Sequence, residues 1–221
     1  MIKAVVFDLD GTLVNSIDDL ADSSNAALME LGFPTHEVEK YRYFIGDGMR
    51  KLIERILPQE KRYDEMIETC HKIFRRIYDE NYLNKTAAYE GIYEMLDSLK
   101  EKGYKLAVIS NKVDVMAKKI VSELFGSVFD FASGKVDNLP TKPDPTLTLS
   151  IMKEMGVKPN ECAFVGDSGM DMLTAVNTGA LPIGVSWGFR GREELLENGA
   201  QYIIDAPLHI IDVLEKENAE L

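Results

Sequence analysis

With 221 residues, 45% of them hydrophobic and 28% charged, the chain has the composition of a folded globular protein and room for one large domain or a domain with a smaller companion. Its 37 acidic side chains outnumber 25 basic ones for a net charge of −12, a surface that repels phosphate backbones and argues against nucleic acid as a partner. No apolar run approaches the roughly 18 residues that span a bilayer, and the N-terminal run stops at Asp8, too short and too acidic for an export signal, so a cytoplasmic protein without a membrane partner is expected.

The chain opens MIKAVVFDLDGTLVNS, a short apolar run of the kind that builds a buried strand, ending on two aspartates with one leucine between them. Carboxylates crowded there repel each other and resist desolvation. An Asp10-Gly11 hairpin with Asp8 solvated at the strand end is the plain alternative. From Ser16 to Lys85 the pattern is helical throughout. IDDLADSSNAALMELG places Ile17, Leu20, Ala21, Ala27, Leu28 and Leu31 on one face, and MRKLIERILP and RYDEMIETCHKIFRRIYDENY repeat that spacing. Residues 16–85 therefore form an all-helical insert, with NSID and NKTAAYEG as its hinges. From Tyr89 onward, helical stretches alternate with short apolar runs: GIYEMLDSLKEKG before YKLAVIS, VDVMAKKIVSELFG before FDFASG, DPTLTLSIMKEMG before CAFVGD, MDMLTAVNTG before LPIGVSW, and REELLENG before YIID. Gly103, Gly126, Gly156, Gly179 and Gly199 each close a helix. Segments 1–15 and 86–221 thus read as a doubly wound α/β domain with a parallel sheet covered on both faces.

Ligands of such a sheet bind beyond the carboxyl ends of its strands. The first strand ends FDLDGT, the second ends at Ser110 followed by Asn111 and Lys112, and the fourth ends at Gly166 followed by Asp167, with Asp171 one turn into the next helix. Lys142 lies in the loop LPTKPDP. Taken singly, Asp171 reads as a helix cap, Ser110 and Asn111 as cap and turn residues, and Lys142 as a solvated loop lysine. Together they put several carboxylates on one edge, an arrangement that needs a cation, and an oxygen-only ligand set points to Mg²⁺. A carboxylate-held Mg²⁺ beside a lysine and neutral donors suits a phosphoryl group. One aspartate can attack phosphorus and a second, at short fixed spacing, can move the proton. Cys70 and Cys162 lack metal-ligand spacing, and His36, His71 and His209 lie away from the strand ends; all five read as surface or packing residues.

In order along the chain, DLDGT, Ser110, Lys142 in KPDP, and GDSGMD resemble the four motifs of the haloacid dehalogenase superfamily. The resemblance implies a Rossmann-like core carrying an α-helical cap after the first strand. It implies Asp8 as nucleophile, Asp10 as general acid and base, and Ser110, Asn111 and Lys142 as phosphate binders. Mg²⁺ would be held by Asp8, the backbone carbonyl of Asp10 and Asp167, with Asp171 and Thr12 in support. The stretch YRYFIGDGMRKLI is similar to the cap signature of phosphoglycolate phosphatases, as are SNK at 110–112 and GVSWGFRG at 184–191. That likeness implies substrate contacts from Arg42, Gly46, Asp47 and Gly48; a helix-helix turn at the glycines and a solvated Arg42 are the plain alternatives. Glycines there would let backbone approach a very small substrate, and Arg42 or Arg50 could meet its carboxylate.

The expected activity is phosphoric monoester hydrolysis of a small metabolite, 2-phosphoglycolate first. Pyrophosphate, nucleotide or sugar-phosphate hydrolysis and a phosphosugar mutase of β-phosphoglucomutase type are the alternatives. A binding module that had abandoned catalysis would be expected to lose Asp8, Asp10 or Asp167, and all three are present. The expected assembly is a monomer or homodimer.

Overall fold

The computed structural model describes residues 1–219. In chain order the elements are β1 (Ala4–Phe7), β2 (Val14–Asn15), α1 (Ile17–Glu30), α2 (Tyr41–Phe44), α3 (Met49–Ile56), α4 (Asp64–Asn81), β3 (Ala87–Ala88) and α5 (Ile92–Glu101). They continue with β4 (Lys105–Val113), α6 (Asp114–Phe125), β5 (Phe131–Lys135), α7 (Thr146–Glu154), β6 (Cys162–Gly166), α8 (Gly169–Thr178), β7 (Leu181–Val185), α9 (Arg192–Glu197), β8 (Tyr202–Ile204) and α10 (His209–Ala219). Two compact units result: Met1–Val14 with Ala88–Leu221, and Asn15–Ala87.

The first unit is built on a six-stranded sheet of order β5-β4-β1-β6-β7-β8, every pair parallel, with helices on both faces. A strand covered on both faces needs apolar side chains pointing both ways, which is why AVVF is a continuous apolar run without alternation. Ala4 and Val6 join Ala107, Ile109, Cys162, Phe164 and the α7 residues Ile151 and Met152 in one core layer. Val5 and Phe7, equally buried, point to the opposite face. Burying a side chain the size of Phe7 contributes about 1.5–3 kcal/mol. Phe7 pairs with Val108 and Val165 in register, and the Asp8 N–H donates to the Val165 carbonyl (2.9 Å). Strands β1 and β6 therefore end nearly level while β4 runs on beside them, and strand order reverses at β1, where parallel sheets open a crevice.

Two local features differ from expectation. Asp10-Gly11 is not a β-hairpin, because both neighbours of β1 are parallel; residues 9–14 instead form a tight turn in which the Leu13 and Val14 N–H groups donate to Leu9 O. Strand β4 does not stop at Ser110 but runs to Val113, with its register against β5 shifted between Ile109 and Val113. Asn111 and Lys112 consequently lie in extended backbone and stay buried.

The second unit is all helical, its core formed by Leu20, Ala27 and Leu28 of α1, Leu52 and Ile53 of α3, and Cys70, Phe74 and Tyr78 of α4. Phe74 and Tyr78 stack with ring centroids 5.2 Å apart. Leu31, placed on the buried face by its spacing, is only half-buried at the end of α1. A polar residue, Asp19, is buried on that helix instead. Its carboxylate accepts the Lys85 and Thr86 N–H groups and the Thr86 hydroxyl at 2.7–3.0 Å, so the outgoing chain supplies the donors that burial removes from water. The segments that pass between the units, β2 and β3, pair as a two-stranded ribbon. His36 packs edge-on against Tyr41 and Phe44, and His209 is exposed at the start of α10. Both cysteines are buried, and burial pushes the Cys70 thiol up to about 11 and that of Cys162 to about 12, which leaves them unreactive packing groups.

Candidate active site

Strand ends bring Asp8, Asp167, Ser110 and Lys112 to one edge of the sheet, and the β5–α7 loop adds Lys142. The ammonium of Lys142 lies 2.7 Å from Asp8 Oδ1 and 2.6 Å from Asp171 Oδ1. With Oδ1 tied down, Oδ2 is the Asp8 oxygen on which no hydrogen-bond donor is placed among the described residues. Asp171 does two jobs at once. As the third residue of α8 its Oδ2 accepts the Ser168 N–H (3.1 Å) and hydroxyl (2.6 Å), forming the cap that its position suggests, while Oδ1 serves Lys142.

Asn111 clamps the Lys142 main chain: its Oδ1 accepts the Lys142 N–H (3.0 Å) and its Nδ2 donates to the Lys142 carbonyl (3.3 Å). Its side chain thus positions the lysine, a task distinct from the direct phosphate contact expected of it. The Ser110 hydroxyl accepts the Lys112 N–H (3.2 Å) and is buried at the strand end.

Asp167 is held on both oxygens, Oδ1 by the Thr12 hydroxyl (3.1 Å) and Oδ2 by the Phe189 N–H (2.8 Å). The Trp187 indole N–H donates to the Thr12 carbonyl (3.0 Å), so the loop after β7 and the turn after β1 close on Asp167 from two sides. Both approaches require glycine. A Cβ on Gly11, which also has φ +90°, or on Gly188 would overlap the Asp167 side chain. Gly188→Ala is therefore expected to fold yet lose about 10–100-fold in divalent-cation affinity and in turnover, the usual cost of disturbing a ligand's supporting shell; Mg²⁺ titration followed by thermal shift measures it.

Carboxylate oxygens of Asp8, Asp167 and Asp171 lie within 4.8 Å of one another, all buried. Burial, then the Asp171 charge, pushes the Asp8 carboxyl up to about 7 against the pull of Lys142. Burial, with Asp171 and Asp8 adding, likewise holds Asp167 well above the usual carboxylate range, despite its two donors. Burial opposes the charge on Lys142, but Asp171 and Asp8 outweigh it and keep the ammonium protonated beyond the ordinary lysine range. Counting Asp10, four carboxylates face the two buried lysines and leave two negative charges, which one divalent cation would neutralise. The all-oxygen donor set fits Mg²⁺.

Lys112 is the site residue that the sequence did not single out. Its side chain, only 4% exposed, places Nζ 3.1 Å from each carboxylate oxygen of Asp10. The available signal was strand periodicity, because a β4 that continues past Ser110 puts residues 110 and 112 on the same face. In the helical unit, Arg42 is bonded to Glu39 (2.8 Å) and Arg50 to Asp64 (2.5 Å) and Glu68 (3.4 Å). Arg55 holds the loop between α2 and α3 by donating to the Phe44 carbonyl (3.0 Å) and to Asp47, across Gly46 and Gly48 with φ +113° and +86°.

A doubly wound sheet whose central strand ends on an aspartate, flanked by a second aspartate and a buried lysine, defines the class: the chain belongs to the haloacid dehalogenase-like hydrolase family, whose model matches residues 5–185. Among individual relatives, phosphoglycolate phosphatase 1 of Pseudomonas aeruginosa is 34% identical over 209 residues, covering 92% of this chain and 76% of that one. The phosphoglycolate phosphatase of Aquifex aeolicus is 35% identical over 188 residues, 85% and 86% of the two chains. A crystal structure given provisionally as a phosphoglycolate phosphatase, from Lactobacillus delbrueckii subsp. bulgaricus, superposes with a TM-score of 0.90 at 30% identity over 96% and 97% of the chains.

Proposed function

We propose that the protein is a Mg²⁺-dependent phosphatase that cleaves a small phosphorylated metabolite through an aspartyl-phosphate, with 2-phosphoglycolate as substrate. The observation that carries this reading is the pinned Asp8: Lys142 holds one oxygen and leaves the other without a placed donor among the described residues, and Asp167 stands close by on two hydrogen bonds of its own. Asp8, through the oxygen that Lys142 does not hold, attacks phosphorus while Asp10, two residues on, protonates the departing ester oxygen. Asp10 then takes a proton from the water that cleaves the acyl phosphate, and Asp8 is regenerated. Lys142 stays between Asp8 and Asp171 and offsets charge on the phosphoryl oxygens, with the Ser110 hydroxyl as a neutral donor. Bound through Asp8, the Asp10 carbonyl and Asp167, with Asp171 in support, Mg²⁺ would supply the charge neutralisation that lets an anionic carboxylate meet an anionic phosphate.

The substrate assignment draws on the names of the two relatives above, both phosphoglycolate phosphatases at about one-third identity. We assign residues 15–87 as the cap and its 44–48 loop, braced by Arg55, as the specificity element. Arg42 would meet the substrate carboxylate. Its exposed pair with Glu39 is worth about 0–1 kcal/mol and exchanges readily for a better anion. Assaying phosphate release from a panel of phosphate esters with Mg²⁺ tests the proposal. The expected result is a kcat/KM for 2-phosphoglycolate at least about tenfold above those for sugar phosphates, nucleotides and pyrophosphate, a margin of roughly 1.4 kcal/mol. Preference for any of those substrates, or isomerised sugar phosphate in place of free phosphate, would overturn the assignment.

A further inference from the structure

We propose that Lys112 is a positioning residue for proton transfer, fixing the Asp10 carboxylate in the orientation that serves the leaving oxygen. The inference rests on the phosphatase reading above and adds a residue to it. Asp10 sits in the turn after β1, next to Gly11 (φ +90°), where its backbone bridges Val14 and the backbone of the turn does not by itself set the direction of its carboxylate. Lys112 lies in the last part of β4, beyond the Lys105–Val108 stretch that pairs with β1 and inside the interval from Ile109 to Val113 where the register against β5 shifts. Its main chain is tied at Ser110 Oγ. The Lys112 ammonium meets both oxygens of Asp10 at equal distances of 3.1 Å. Equal distances centre the ammonium on the carboxylate, so that both oxygens are held from one side. The two side chains are only 4% and 12% exposed, so water does not compete effectively for the pair.

The chemistry gives that restraint a use. In the first half-reaction the Asp8–phosphorus bond forms, the ester O–P bond breaks, and the departing oxygen takes the Asp10 proton. In the second, the water O–P bond forms, the Asp8–phosphorus bond breaks, and the water proton returns to Asp10. Both transfers need the Asp10 oxygen within hydrogen-bond reach of an atom that it does not otherwise touch. Lys112 is thus distinct from Lys142, which serves the nucleophile.

Comparing leaving groups on Lys112→Met, Lys112→Arg and wild type tests the assignment. For the best alkyl phosphate of the panel, whose alkoxide must be protonated, Lys112→Met should lower kcat by about 100-fold, within the range that a positioned acid-base group supplies, with KM changed less than about threefold. For 4-nitrophenyl phosphate, whose phenolate leaves unprotonated, the initial burst of nitrophenolate should fall less than about fivefold, with slow turnover behind it. Lys112→Arg should recover part of the alkyl-ester kcat, because it returns a cation able to donate to both Asp10 oxygens. Equal losses in both first steps, a rise in KM with kcat intact, or no change would each overturn the assignment. Lys112→Gln carries the same comparison if the methionine variant is insoluble. A wild-type protein inactive on every ester would remove the phosphatase reading and this one with it, whereas an active wild type matched by Lys112→Met would remove this one alone.

Discussion

Asp8→Asn is expected to abolish phosphate release, by about 10³-fold or more, while leaving the metal-free protein at least as stable as wild type at pH about 8. On the proposed two-step displacement, the activity loss follows from removing its nucleophile. The stability result follows from the surroundings of the carboxyl. Burial and the neighbouring Asp171 raise it to about 7, against the opposing pull of Lys142, so the folded protein binds this proton more tightly than the unfolded chain does. The unfolded carboxyl loses its proton near 3.8, hence Asp8 withdraws stability as pH rises from that value to about 7, and the full penalty stands above it. Asparagine has no charge to desolvate. Lys142 keeps its second partner, Asp171, at 2.6 Å, so the substitution does not strand a buried ammonium. Phosphate release and thermal unfolding of one preparation check both halves. A variant that is inactive only because it unfolds would show a Tm well below wild type.

Removing divalent cation should have an effect of comparable size, with a pH signature of its own. Chelation is expected to lower turnover by about 10³-fold and Mg²⁺ to restore it, because several kcal/mol of charge stabilisation would be lost with the cation. Asp8 and Asp167 must both be ionised to bind it, and both carboxyls lie above their usual range, chiefly through burial. Protons therefore compete with the metal at low pH. The Mg²⁺-induced rise in Tm should be small near pH 5.5 and large near pH 8, the reverse of the trend in the metal-free protein. Scanning calorimetry with chelator and with Mg²⁺ at the two pH values measures this, and a metal-induced shift independent of pH would contradict it.

Much of the architecture was legible because its signals are local. Apolar runs of four or five residues, helical spacing between them and glycines at helix ends each lie within about a dozen residues. They yielded the six strands, the helical insert, the strand ends bearing Asp8 and Asp167, and the strand that carries Ser110. The residues closing β4 were misread for an equally local reason. Asn111 and Lys112 are polar, and polarity at the end of an apolar run resembles a strand end unless a buried partner accepts it. Leu31 was misplaced by the same logic, since helical spacing does not say where a helix stops supporting its last turn.

Pairings across long separations were beyond that reach. Asp10 and Lys112 are 102 positions apart, Asp8 and Lys142 134, and Thr12 and Asp167 155. Residue order and type carried the list of charged groups, the excess of carboxylates among them and the need for a cation. The sheet alone assigned each lysine to its aspartate, gave Asn111 to the Lys142 backbone, and brought Gly188 against Asp167 where no side chain fits. Those choices depend on the register in which β1 lies between β4 and β6. A shift of one residue would turn every side chain of the strand to the opposite face, and register is set by packing both faces of the sheet at once, a condition no single segment contains.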